Sequence, residues 1–173
     1  MKRRLIAAGI LAAGYLGTIV AANWAIARFG AVPVGFGLVA PAGVYFAGLA
    51  LTLRDLLHEV AGRAAVVMAI VAGAALSFAV ASPALALASA AAFGLSELAD
   101  FAVYEPLRHR HWLGAVAASN VVGLVVDSCL FLWLAFGSLT FLPGQIVGKA
   151  TMTVLAVLLL AGLRRVDRWR AAR

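Results

Sequence analysis

The sequence predicts an all-α fold, a polytopic membrane bundle of six transmembrane helices with both termini in the cytoplasm. Three observations carry this. Hydrophobic residues make up 65% of the 173 residues, against roughly 45–50% in soluble domains. Charged residues make up only 12%, about half of the usual ~25%, and the mean hydropathy is +1.04. The basic residues also fall almost entirely on one side of the alternating apolar segments. Too few polar residues remain to cover a soluble surface, which excludes a soluble enzyme and a disordered regulator.

Each span follows from a run close to the ~20 apolar residues that cross the hydrocarbon. The first is residues 5–27, preceded by Lys2-Arg3-Arg4. It also resembles a signal peptide with Ala25-Ile26-Ala27 at a cleavage site. The run is longer than a usual signal core, so it reads as a retained helix. A Gly- and Pro-rich loop, residues 30–37, leads to the second span, about residues 38–57. The third covers residues 64–82, and Pro83 marks a tight turn into the fourth, residues 84–104. A polar connection, residues 105–111, precedes the fifth span, residues 112–136. The sixth covers residues 142–163 and a basic tail closes the chain. Residues 1–173 therefore read as one integral membrane domain with no room for an extramembrane one.

Of the 14 Lys and Arg residues, twelve fall on one side. They are Lys2, Arg3 and Arg4; Arg54 and Arg63; Arg108 and Arg110; and Arg164, Arg165, Arg168, Arg170 and Arg173 in the tail. Arg28 alone is on the other side, and Lys149 lies inside helix six. Positive charge stays in the cytoplasm, which sets the orientation and places the chain in the plasma membrane as a multi-pass protein. The net charge of +7 thus needs no nucleic acid. Trp112 and Trp169 read as headgroup-level anchors. Gly9, Ala13 and Gly17 give helix one a face of small residues for close packing or for a docking partner.

Charged groups inside a bilayer cost about 2.5–3.5 kcal/mol each on insertion scales, so those retained there line a cavity, pair or bind something. Asp55, His58 and Glu59 share one helix face, as do Glu97 and Asp100, Asn120 and Asp127, and Gln145 and Lys149. Helix three has no such face and reads as lipid-facing or scaffold. At 1.5 Å per residue, Asp127 lies about 22 Å above the cytoplasmic start of helix five. Lys149 lies about 10 Å below the outer start of helix six, which makes an Asp127–Lys149 ion pair the economical arrangement. Asp55, Glu59 and Arg63 read equally well as a solvated helix end. His58 reads as a polar helix-end residue rather than a metal ligand, and His109 and His111 belong to a charged loop. No metalloprotease, nucleophile-elbow or phosphate-loop motif and no Cys/His metal spacing is present, and Cys129 stands alone in an apolar run. No enzyme activity, cofactor or metal is expected.

Five segments carry a resemblance. Asn23 ends helix one; Asp55, Glu59 and Gly62 form D-x-x-x-E-x-x-G at the end of helix two; Ser96-Glu97 and Asp100 form S-E-x-x-D in helix four. In helix five, Ser119, Gly123, Asp127 and Ser128 form S-x-x-x-G-x-x-x-D-S, and Lys149 lies in helix six. In this order they resemble the vitamin uptake (VUT) transporter family, associated with queuosine precursor transport. Leu124 stands where many relatives have a polar residue, and the chain is short and Ala-rich.

The resemblance implies six helices and uptake of 7-cyano-7-deazaguanine or its aminomethyl relative by a secondary transporter. It marks Asn23, Asp55, Glu59, Glu97, Asp100, Asp127 and Lys149 as functional positions. A guanine edge presents adjacent N–H donors that a carboxylate accepts, a role given to Glu97, with Asn120 reading the neighbouring carbonyl. Phe101 or Trp24 would stack on the ring, and Asp127 or Glu59 would carry a coupling proton. The expected partners are this small molecule and the bilayer, with homo-oligomerisation left open. Competing readings are a substrate-binding subunit of an ATPase-coupled vitamin importer, a non-transporting membrane scaffold and a membrane enzyme.

Overall fold

The computed structural model describes residues 2–80, 83–107, 109–110 and 112–171. Ser82, Arg108, His111 and Arg173 fall outside them, as do the side chains of Arg3, Trp112, Arg164, Arg165, Arg168, Trp169 and Arg170. Six helices run in order: α1 (Lys2–Phe29), α2 (Val44–Ala61), α3 (Arg63–Val80), α4 (Pro83–Leu107), α5 (Trp112–Phe136) and α6 (Leu142–Ala171). Between α1 and α2 stand two short strands, β1 (Ala31–Gly35) and β2 (Leu38–Pro41).

The strands correct the expectation of a wholly helical chain whose second span begins at residue 38. They pair antiparallel, Val32 opposite Ala40 and Pro33 opposite Val39. The cause is local: Pro33 and Pro41 push Val32 and Ala40 out of the helical region into extended backbone. Gly35-Phe36-Gly37 closes the hairpin, with Phe36 at φ 53° and 92% exposed. Helix α2 therefore starts only at Val44, and it continues to Ala61. Gly62 ends it at φ 81°, a conformation glycine adopts without strain, and its N–H bonds to the His58 carbonyl at 2.8 Å. Pro83 begins α4, where a missing N–H costs nothing. The α4 helix runs through Glu105 and Pro106 to Leu107, past the expected end at residue 104.

Apolar side chains point outward and polar ones inward, the reverse of a soluble domain. Leu5, Ile10, Met68, Val71, Leu158 and Leu159 are exposed, whereas Lys149, Gln145, Ser77 and Ser128 are among the most buried side chains. That is the distribution lipid demands, because a hydrocarbon solvent offers no partner to a polar group. Among the described residues three helices are long and apolar enough to cross a membrane, over Arg4–Phe29, Pro83–Leu107 and Ala118–Phe136, and Arg63–Ala79 is a shorter apolar helix.

The most extensive helix pairing is α4 on α5, followed by α1 on α2 and α2 on α6. Small residues permit this: Ala86, Ala88, Ala92 and Ala115 are all at most 2% exposed. At the crossing of α2 and α6 a Cβ on Gly48 would fall 2.8 Å from the Lys149 carbonyl oxygen. One on Gly148 would fall 2.7 Å from a Val44 methyl. Glycine on both helices thus sets how close α6 comes to α2. A core of Tyr15, Leu57, Val66 and Ala69 joins α1, α2 and α3. Among the described residues nothing covers the small-residue face of α1 at Gly9 and Gly17, where an added Cβ would have no neighbour within 4 Å.

Candidate functional site

A cavity of about 130 Å³ lies at the centre of the bundle, with walls drawn from all six helices. It far exceeds the roughly 10–15 Å³ that a single water needs. Tyr15, Phe46, Phe93 and Phe131 supply aromatic surface, and the polar lining includes Asn23, Ser77, Asp127, Gln145 and Lys149. On α1 and α3 the lining residues belong to the C-terminal part of the helix, on α2 and α6 to the N-terminal part. The cavity therefore sits toward the end of the bundle that carries the hairpin.

The dominant electrostatic feature is the pair between α5 and α6. Lys149 Nζ donates to Asp127 Oδ2 at 2.5 Å and to Ser128 Oγ at 3.0 Å. The lysine side chain is 2% exposed and the aspartate 15%. An ammonium has three N–H donors, so one remains after Asp127 and Ser128 are served. Residues 127 and 128 reach the lysine from consecutive positions because it sits where α5 and α6 face each other.

Asn23 joins α1 to α3. Its Nδ2 donates to the Ile19 carbonyl at 3.0 Å and to Ser77 Oγ at 3.1 Å. The Ile19 carbonyl can only accept, which decides the amide orientation and leaves Oδ1 as the one group Asn23 still offers. Gln145 is 2% exposed, lines the same cavity, and its Oε1 has no hydrogen-bond partner.

The other carboxylates expected at a site, Asp55, Glu59, Glu97 and Asp100, do not line this chamber. Arg54 Nε and Nη2 donate to Asp55 Oδ1 at 2.8 and 2.6 Å, and Nη1 pairs with Glu97 Oε1. The same guanidinium lies 5.6 Å from the Phe93 ring centroid, and Phe93 is part of the cavity wall. Arg54 thus bridges α2 and α4, which otherwise barely approach each other among the described residues. Glu97, expected to face a ligand, is turned to Arg54 and does not line the cavity. Asp55 and Glu59 are exposed at the end of α2, and Asn120 is exposed on α5. Asp100 packs over Gly123 of α5, its Cβ 3.4 Å from where a glycine Cβ would stand. Trp24 and Phe101 are 58% and 43% exposed, outside the cavity. Trp24 packs edge-on against Phe29, and Phe101 lies under Arg63 at 4.9 Å.

Helix α3, expected as featureless scaffold, contributes a wall. Val66, Ala69, Gly73 and Ser77 follow one another at helical spacing and all point inward. The signal was a lone serine in an apolar helix, one residue too few to stand out by composition. Tyr15 and Thr18 of α1 also line the cavity, and Thr18 Oγ1 donates to the Tyr15 carbonyl at 2.6 Å.

A family model described as "Putative vitamin uptake transporter" matches residues 77–163, a segment that runs from Ser77 of the chamber through Asp127 and Lys149. The chain belongs to this vitamin uptake transporter family. The matched segment includes Glu97, Asp100 and Asn120 and leaves Asn23, Asp55 and Glu59 upstream of it. No curated protein and no solved structure matches the chain. Membership in a transporter family accords with a largely apolar chamber that holds a few polar groups inside the bundle, the usual place of a substrate site in such proteins.

Proposed function

We propose that this protein imports a queuosine precursor, 7-cyano-7-deazaguanine or 7-aminomethyl-7-deazaguanine, as a secondary transporter of the plasma membrane. The observation that carries the reading is the chamber walled by all six helices and holding the buried Asp127–Lys149 pair. A flat heterocycle suits aromatic walls such as Phe46, Phe93 and Phe131, which give ring faces for stacking. A guanine-type edge offers N–H donors beside a carbonyl. The chamber offers the complement: the Asn23 carbonyl oxygen and one undirected N–H of Lys149.

In this reading all six helices span the membrane and both termini are cytoplasmic, so the hairpin end faces outside and the chamber fills from there. The clasp of Arg54 with Glu97, packed under Phe93, closes the cytoplasmic side. Import requires that α2 and α4 part at this clasp, a change confined to one arginine and its partners. A proton arriving on Asp127 removes its attraction for Lys149 and supplies a way to couple transport to the proton gradient.

The test is uptake of labelled 7-cyano-7-deazaguanine into cells that cannot make it. Expression of the protein should restore accumulation, and Asp127→Leu with Lys149→Met should abolish it. Accumulation that stays at background, with the protein present in the membrane, defeats the proposal. The open small-residue face of α1 at Gly9 and Gly17 favours one second reading, a substrate-binding subunit of an ATPase-coupled importer. Copurification with an ATPase module, and uptake that follows ATP rather than the proton gradient, would select it.

A further inference from the structure

The polar groups around the chamber can be counted one by one. Asn23 has spent both N–H groups on Ile19 and Ser77. Lys149 has spent two of three on Asp127 and Ser128. Gln145 differs from both: it is 2% exposed, it lines the chamber, and its carboxamide oxygen has no partner. A buried acceptor left unpaired is costly, and natural structures seldom keep one without something to fill it. Gln145 lies one turn before Lys149 on α6, on the same face, and Gly148 and Gly48 hold that face against α2. The side chain is therefore placed by a close, glycine-mediated helix crossing while its oxygen has no hydrogen-bond partner.

We propose that Gln145 is a specificity-determining residue: its carboxamide oxygen accepts an N–H from the ligand, so that the chamber selects heterocycles carrying an exocyclic amine. This rests on the uptake reading above and adds to it the residue that distinguishes an aminated ring from its desamino analogue. The oxygen has almost no exposed surface and no hydrogen-bond partner of its own, so rotation of the terminal amide is what turns it toward the chamber. A ligand without the donor leaves the oxygen unpaired, and such a mismatch weakens binding more than a merely absent attraction would.

The experiment measures binding of 7-cyano-7-deazaguanine and of its 2-desamino analogue to the purified full-length protein. Wild type should prefer the aminated ligand by roughly ten- to a hundredfold. Gln145→Met fills the same space without an amide and should bring the ratio close to one, with an unchanged melting temperature. Gln145→Glu keeps an acceptor and should keep the preference. A Gln145→Met protein that retains the wild-type ratio overturns the assignment. So does one that weakens both ligands equally with a lowered melting temperature, the mark of a merely structural side chain. Wild type binding neither ligand defeats the uptake reading itself, and is distinguished from the other results by needing no variant.

Discussion

Removing Asp127 alone should damage the protein more than removing Lys149 alone, and removing both should restore it. Asp127 Oδ2 and Lys149 Nζ are 2.5 Å apart, which at an effective dielectric of about 20 corresponds to an attraction of about 7 kcal/mol. Desolvation of both charges offsets much of that, and breaking such a pair typically costs about 3–5 kcal/mol because the survivor stays buried and unpaired. The two survivors here are not equivalent. Asp127→Leu strands an ammonium that is 2% exposed, with Ser128 Oγ at 3.0 Å as its remaining partner. It should lose the full ~3–5 kcal/mol. Lys149→Met leaves a carboxylate that is 15% exposed and borders a cavity with room for water. Its loss should be nearer the ~1–3 kcal/mol of an under-partnered polar group. The double variant should lie within about 1 kcal/mol of wild type or above it, since two apolar side chains need no partners. Reversible unfolding in detergent, followed by circular dichroism, measures all four corners of this cycle. Equal losses in the two single variants would refute the asymmetry drawn from burial, and a double variant that loses their sum would refute the claim that the pair acts as one desolvated unit. The double variant should fold yet fail to take up substrate, which separates the stability of the pair from its use.

Other expectations follow from the same geometry. Gly48→Val should push α6 off α2, because the new side chain meets the Lys149 carbonyl and Met152 at 2.8 Å; a loss of about 1–3 kcal/mol in the same unfolding assay is expected. Arg54→Gln should loosen the cytoplasmic closure, and Ala90→Cys in a Cys129→Ser background reports it, since position 90 borders the cavity. In inside-out vesicles that thiol should react several-fold faster with a membrane-impermeant reagent when Arg54 is replaced, and Glu97→Gln should have the same effect without adding to it. Phe36→Cys at the hairpin tip should label from outside intact cells, where reaction only from the cytoplasmic side would reverse the assigned orientation.

Much of the architecture was legible in the chain. The start of α5 at Trp112, its end at Phe136 and the start of α6 at Leu142 follow from hydropathy and turn residues, which act locally. The Asp127–Lys149 contact was legible for a related reason: each charge is so costly in hydrocarbon that few arrangements tolerate it, and their depths along adjacent helices agree. The hairpin was missed although its cause is local too. Residues 30–37 read as a Gly- and Pro-rich loop and residues 38–41 as the start of a span, and hydropathy does not distinguish extended from helical backbone. Glu97 was assigned to a ligand because it stands in an Ala-rich helix, yet whether a carboxylate faces a cavity or an arginine depends on what the neighbouring helix brings. Arg54 brought the answer from 43 positions away in the chain.

Composition and charge distribution by themselves determined that this protein lives in a bilayer, roughly where most of its helices lie, and that Asp127 and Lys149 would have to find one another. Those properties are energies of single segments against lipid and water, and they can be summed along the chain. Only the tertiary structure decided that Ser77, Gln145 and Tyr15 join Asn23, Asp127 and Lys149 around one chamber while Asp55, Glu59 and Asn120 remain outside it. That choice depends on the rotation of each helix about its own axis. Rotation is set by where glycine and alanine let backbones meet, at Gly48 against Lys149 and along Ala86, Ala88 and Ala92, and such steric fits are properties of pairs of helices that no single segment contains.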